Sequence, residues 1–248
     1  VSIRTRMLAA VVAAALVLGV LLMAVVAGTS GADDQADDQP AAETTEADLS
    51  GIPDVVAVVN GEEIGRDDFV AVYEPQFEQS AAAGQAVDQD DLKKQTLDLM
   101  VDNTLLVQEA EARGFSASEK QIEESLQTFA TNNGMASADE YVAALQEQQG
   151  LSEDEVRAQV ADGIVIEALV DDEMGDEPIA ESELRELYDQ AVAQQEQLGQ
   201  AQGGAAEVPS FEEVRPQLEE AAQSQRQQET LTRIVDEARK DAEIERRL

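Results

Sequence analysis

Carboxylates are the one reactive group this chain has in quantity. Its 248 residues carry 53 Asp and Glu against 16 Lys and Arg, a formal charge of -37, with no His and no Cys. Disulfides, a thiolate nucleophile, a Cys/His zinc site and a histidine base are therefore excluded. Paired carboxylates alone suffice for glycoside hydrolysis, provided an apolar setting keeps one of them protonated. No pair is set apart in that way, since nearly every acid lies on the polar face of a helical pattern or in an acidic spacer. The densest group, Asp33, Asp34, Asp37 and Asp38, lacks the alternating ligands and central glycine of a calcium loop and reads as solvated. An enzyme is thus the disfavoured class, and no cofactor or metal is expected. The charge also repels phosphates, which excludes a general nucleic-acid binder and disfavours anionic lipid surfaces. Two readings of the charge stay open. One is acidic faces kept solvated, as in a salty exterior; the other is a long-range preference for basic polypeptides.

The elements that must carry any function begin after an unusual start. Arg4 and Arg6 precede an uncharged, almost wholly apolar run from Met7 to Gly28. As a helix that run spans a bilayer core of roughly 30 Å. The positive-inside bias puts the N-terminus in the cytoplasm and the rest outside. The sequence therefore predicts an uncleaved single-pass signal anchor over residues 1–28, with cleavage after Ser30-Gly31-Ala32, and secretion, as the alternative. Residues 29–54 are acidic, lack Lys and Arg, and predict a disordered tether.

The first folded stretch is Val55 to Tyr73. Five mostly β-branched residues, Val55–Val59, favour a strand. Asn60-Gly61 tolerates the positive φ angles of a tight hairpin turn, and Glu62–Ile64 returns as a second strand. A helix then carries Phe69, Val70, Tyr73 and Phe77 at helical spacing, with Pro75 expected to bend or end it early. Leu92 to Arg113 is the strongest helix pattern, with Asp90 or Asp91 as its cap. Leu92, Leu99 and Leu106 recur every seven residues, and Leu97, Val101 and Leu105 widen the apolar arc. Ser118 with Gln121, Ser137 with Glu140, Ser152 with Glu155 and Ser210 with Glu213 have the spacing of capping boxes at four further helix starts. A more polar helix is expected over Glu181 to Leu198. A Gly/Ala/Gln-rich loop follows at 199–209, and then a last helix and a short strand-like tip, Ala242 to Glu245, within 210–248.

In order, these parts resemble the N-terminal domain of the SurA/PrsA-type extracytoplasmic chaperones. The resemblance rests on Val58-Val59-Asn60-Gly61-Glu62 with Ile64 and Asp68-Phe69, and on the helix LKKQTLDLMVDNTLLVQEAEARGF. It continues through Ser118, Glu119 and Ile122, the restart Gly150 to Arg157, and Ile179, Leu184 and Tyr188. Ala180 departs from the pattern, which usually has a capping Ser or Thr there. The closing Pro209-Ser210-Phe211-Glu212-Glu213-Val214, with Ala242, Ile244 and Glu245, is similar to the family's last helix and strand.

The resemblance implies a mainly α fold over 55–198 with a small N-terminal β-hairpin, completed by the C-terminal helix and short strand. In that closure the last helix packs beside Leu92 to Arg113 and Ile244 lies on the Val55–Val59 strand. The function implied is a membrane-tethered holdase for unfolded secreted polypeptides. Many relatives insert a parvulin isomerase domain where only 199–209 stands here, and parvulin sites use histidines, so prolyl isomerisation is not expected of this chain. An adaptor docking a specific envelope partner is the alternative. In such chaperones, adaptable side chains line a groove. The candidates are Met100, Met135 and Met174 for soft contacts and Phe77, Phe129, Tyr141 and Tyr188 for aromatic ones, each with plain core packing as the competing role.

Overall fold

A computed structural model of the chain describes residues 46–83, 87–175, 177–202 and 209–248. Seven helices and three strands lie among them. The hairpin expected from the Val-rich run forms. Strand β1 (Val55–Val59) pairs antiparallel with β2 (Glu62–Gly65), and Asn60 and Gly61 turn the chain at φ 52° and 90°. A third strand, β3 (Ile244–Arg246), pairs antiparallel with the other edge of β1, placing Ile244 opposite Val59. The expected closure of the sheet by the chain's last residues is therefore observed, across a separation of 183 residues. Asn60 is its staple. Its backbone N–H donates to Glu243 O at 2.8 Å, and its side-chain Oδ1 accepts from Glu243 N at 2.8 Å. The same side chain donates to Gln108 Oε1, and Gln108 in turn donates to Val59 O and Glu62 Oε2. One turn residue thus ties three strands to one helix.

Helix α1 (Arg66–Ala82) runs straight through Pro75 rather than ending there. A proline removes one backbone bond and crowds the preceding turn. Here the helix also stacks Phe69, Tyr73 and Phe77 one turn apart, with centroids 5.7 and 6.4 Å apart and all three rings buried. Burial of that ladder offsets the proline.

Helix α2 (Gln89–Ala112) starts two residues earlier than the acids at 90 and 91 imply. Asp88 is its cap, its Oδ1 accepting from Asp90 N and Asp91 N at 3.1 Å each. Its buried face holds Thr96, Leu97, Val101, Leu105 and Leu106, whereas Leu99 is 45 % exposed. The seven-residue leucine repeat therefore does not mark the seam; the Leu97–Val101–Leu105 row does. Gly114, at φ 87°, closes the helix, with Phe115 N donating to Ala110 O.

Residues 46–54, expected as the end of a disordered tether, are folded onto this helix. Asp48 pairs with the nearly buried Lys93 at 3.7 Å, and its backbone N–H donates to Gln89 Oε1. Arg66 donates to the carbonyls of Leu49 and Ile52, and Ile52 is 4 % exposed. An acidic segment can dock where its few apolar and hydrogen-bonding groups find partners, whatever its average composition.

Helices α3 (Glu119–Asn132), α4 (Ala138–Gln149), α5 (Glu153–Met174), α6 (Glu181–Gln202) and α7 (Phe211–Asp241) complete the chain. Helix α6 extends four residues beyond Leu198, into the stretch expected as loop. Ala180 caps it only with its carbonyl, which accepts from Glu183 and Leu184.

The residues form two compact units. Among the described residues, one runs from residue 46 to Val165 and takes in Ala242–Leu248; the other lies within Ile166–Asp241. In the second, Leu184, Leu218 and Ala222 are buried between α6 and α7. Arg226 grips both carboxylate oxygens of Glu183 and the carbonyl of Glu177 there.

The single-pass membrane location expected from the sequence is corrected. Among the described residues no helix is long and apolar enough to cross a membrane. A span needs about 20 consecutive apolar residues, and acids interrupt even the apolar centre of α5, at Asp162 and Glu167. The run from Met7 to Gly28 and the tether up to residue 45 lie outside the described residues.

Candidate polypeptide-binding surface

Helices α3 and α4 and the first half of α5 are short, and each is started by a serine. Ser118 Oγ accepts from Gln121 N while Gln121 Oε1 accepts from Ser118 N, and Ser152 and Glu155 do the same. The box at Ser137 is half made: its hydroxyl accepts from Glu140 N, but the Glu140 carboxylate reaches back to Ala136 N. Sharp starts and the left-handed glycines Gly134 and Gly150 let three helices turn back on one another within fifty residues. Their apolar stripes meet in a cluster of Ile122, Leu126, Ala138, Val142, Val156 and Val160.

Around that cluster is a rim that burial leaves incomplete. Phe129 on α3 and Tyr141 on α4 pack ring to ring, centroids 6.0 Å apart, and both are half-buried. Leu145, Leu151 and Ile164 lie against the same cluster, also half-buried. Two of the candidate residues are thus brought together. Met135, half-buried in the turn between α3 and α4, donates its backbone N–H to Ala130 O.

The remaining candidates stand elsewhere. Phe77 is the end of the α1 aromatic ladder and only 2 % exposed. Met100 is half-buried on α2. In the second unit, Met174 is half-buried at the end of α5. Tyr188 packs edge-on against Phe211 at 5.7 Å and donates its hydroxyl to Pro209 O at 2.8 Å. The rim residues Leu145, Leu151 and Ile164 were not among the candidates. For Leu145 and Ile164 the signal was position, each apolar at the margin of an amphipathic stripe where a helix face turns from core to solvent, whereas Leu151 lies in the loop before α5.

Two half-buried carboxyl groups of α5 are raised above the ordinary carboxylate range. Asp162 on α5 is half-buried, and its carboxyl is raised above the ordinary 3.8, first by burial and then by the negative charges of Glu111 and Glu62. Glu167 is raised too, by burial and then by Asp171 one turn on. Among the described residues no group of three or more His, Cys, Asp or Glu is placed to hold a metal ion.

A raised folded-state value means that the folded chain holds the Asp162 proton more tightly than the unfolded chain. Stability therefore falls as pH rises between the two values, and the whole penalty is present above the folded one. Asp162→Asn is expected to raise the melting temperature at pH 7. The gain should shrink as pH falls below the ordinary aspartate range, where both states are protonated. Melting curves at pH 7 and pH 3.5 check this; an equal shift at both would show that Asp162 acts by packing alone.

No curated protein matches the chain. The model of the SurA-like N-terminal domain covers residues 2–170, which hold the hairpin, α1 to α4 and most of α5, and the chain belongs to that family.

Proposed function

We propose that this protein is a holdase, binding extended apolar segments of unfolded periplasmic or secreted polypeptides on the rim formed by α3, α4 and α5. The family supports a chaperone-like role and an extracytoplasmic setting. The observation that carries the finer reading is the Phe129–Tyr141 pair, half-buried against the cluster on which Leu145 and Leu151 also pack. Paired half-exposed aromatic rings offer large contact areas at small entropic cost, which suits clients of varied sequence. Met135 in the turn between α3 and α4, and Met100 and Met174 elsewhere, supply the deformable contacts in this reading. Phe77 and Tyr188 are left as packing residues by their surroundings.

No isomerase chemistry is assigned to this chain. Its sequence has no His and no Cys, and the family match is to a non-catalytic module.

The test is suppression of aggregation of two unrelated unfolded proteins, followed by light scattering at equimolar and fivefold excess of the chain. Protection of both is expected. Protection of neither would leave a dedicated adaptor as the better reading.

A further inference from the structure

An asparagine followed by glycine readily loses its side-chain amide, because a residue without a side chain leaves its backbone nitrogen open to the neighbouring Asn Cγ. The chain has two such pairs, Asn60-Gly61 and Asn133-Gly134. All four residues are exposed, and a Cβ built on either glycine would meet nothing within 4 Å. The pairs differ in how the asparagine is held. Asn133 Nδ2 donates to Phe129 O at 2.8 Å, at the end of its own helix. Asn60 is held at both ends of its amide by residues far along the chain. Its Nδ2 donates to Gln108 Oε1 at 2.8 Å, and its Oδ1 accepts from Glu243 N at 2.8 Å. Its backbone is fixed too, at φ 52° beside the Val59–Glu62 pair, with Asn60 N donating to Glu243 O.

We propose that Asn60 is a site of spontaneous deamidation and isomerisation that the returning strand β3 guards, and that its conversion prevents β3 from docking again. In the step, the Gly61 nitrogen loses its proton and bonds to Asn60 Cγ. The Cγ–Nδ2 bond breaks and ammonia leaves, giving a cyclic imide. A solvent water then opens the ring at either carbonyl, leaving Asp or isoaspartate. Ring closure swings Cγ onto the Gly61 nitrogen, so the side chain must first leave Gln108 and Glu243. The step is therefore slow while β3 is paired and fast once Ala242–Leu248 lifts. Asp at this position sets a carboxylate oxygen against Gln108 Oε1, acceptor against acceptor. Gln108 cannot turn over without giving up Val59 O and Glu62 Oε2. Isoaspartate adds a methylene to the main chain inside the tight turn, which the Val59–Glu62 pair cannot span in its present register. Each opening of the closure thus leaves a lasting chemical mark.

The full chain is incubated in mildly alkaline buffer, folded and in urea, and both Asn-Gly sites are followed by peptide mapping and mass spectrometry, with isoaspartate marked by an isoaspartyl methyltransferase. Asn60 is expected to convert at least about tenfold more slowly folded than unfolded, since two side-chain hydrogen bonds must be given up first. Gln108→Leu, which frees Nδ2, should speed Asn60 severalfold in the folded chain and leave Asn133 unchanged. Asn60→Asp, made directly, should raise amide hydrogen exchange at Glu243 and Arg247, which donate to Asn60 and Val56, while Leu126 stays protected. The comparison of folded and unfolded parent requires no variant to fold. Equal rates at Asn60 in those two states, or no effect of Gln108→Leu, would overturn the guarding by β3. No conversion of Asn60 even in urea would overturn the site. Unchanged exchange at Glu243 and Arg247 in Asn60→Asp would overturn the loss of docking.

Discussion

Removal of Ala242–Leu248 is expected to cost on the order of 3–5 kcal/mol, the largest loss from any short deletion in the first unit. Strand β1 carries Val56, Ala57 and Val59 fully buried and is paired on both edges. Without β3 one edge of β1 is stripped. The bonds between Asn60 and Glu243 and between Arg247 N and Val56 O are lost along with the ladder. At about 1 kcal/mol net for each buried backbone hydrogen bond, these alone account for several kcal/mol. The Arg246–Asp98 ion pair at 2.7 Å adds little, because both side chains are about half exposed. What remains is a two-stranded hairpin, which is marginal in water. Urea denaturation and binding of an apolar dye to the full chain and to the chain ending at Asp241 measure the effect. Identical midpoints and no added dye binding would make β3 an ornament rather than part of the fold.

Leu126→Ala is expected to cost about 3 kcal/mol, within the range for a buried leucine cut to alanine. Leu126 is fully buried at the centre of the cluster that α3, α4 and α5 share, against Ile122, Val142, Val156 and Val160. These helices have 14, 12 and 22 residues, so the first two are near the limit of independent stability, and packing must supply the rest. The loss should be local: proteolysis should shift to sites within 118–165 while the hairpin and α1 stay protected. Ser118→Ala, which removes a cap but no packing, is expected to cost only about 1 kcal/mol. A Leu126→Ala chain as stable and protease-resistant as the parent would mean that the rim has no core beneath it.

What the sequence made legible were features decided by neighbours in the chain. The β-branched run and Asn60-Gly61 specify a hairpin by local sterics. Serine followed three residues later by Gln or Glu specifies a helix start by two reciprocal hydrogen bonds, and two of the four such boxes, at Ser118 and Ser152, form in full, while at Ser210 the Glu213 carboxylate accepts from Ser210 N but Glu213 N donates to the Ser210 carbonyl. Even the return of Ile244 to β1 was readable, because a lone hairpin needs a partner and the chain's end holds a strand-like tip.

Features decided at a distance were not legible. Pro75 stays inside α1 because of an aromatic ladder whose burial its own helix cannot guarantee. The heptad of Leu92, Leu99 and Leu106 misled because a wide apolar arc has several possible centres, and the neighbours chose Leu97–Val101–Leu105. Asp48 and Ile52 docked from an acidic segment because Lys93 and Arg66, far along the chain, were waiting for them. The candidate site shows the same limit. Phe129 and Tyr141 are twelve residues apart on different helices, and spacing alone could not pair them while leaving Phe77 in the core.

The account's central claim is that unfolded polypeptide is held at the α3–α5 rim, and site-specific photo-crosslinking tests it most directly. A benzophenone side chain is introduced in place of Tyr141, and separately in place of Asp67, an exposed residue at the start of α1. Each chain is then irradiated with a reduced, unfolded client. The account predicts strong client adducts from position 141, weak ones from position 67, and loss of the adducts when a folded form of the same client is offered. Equal adducts from both positions, or adducts from position 67 alone, would contradict it.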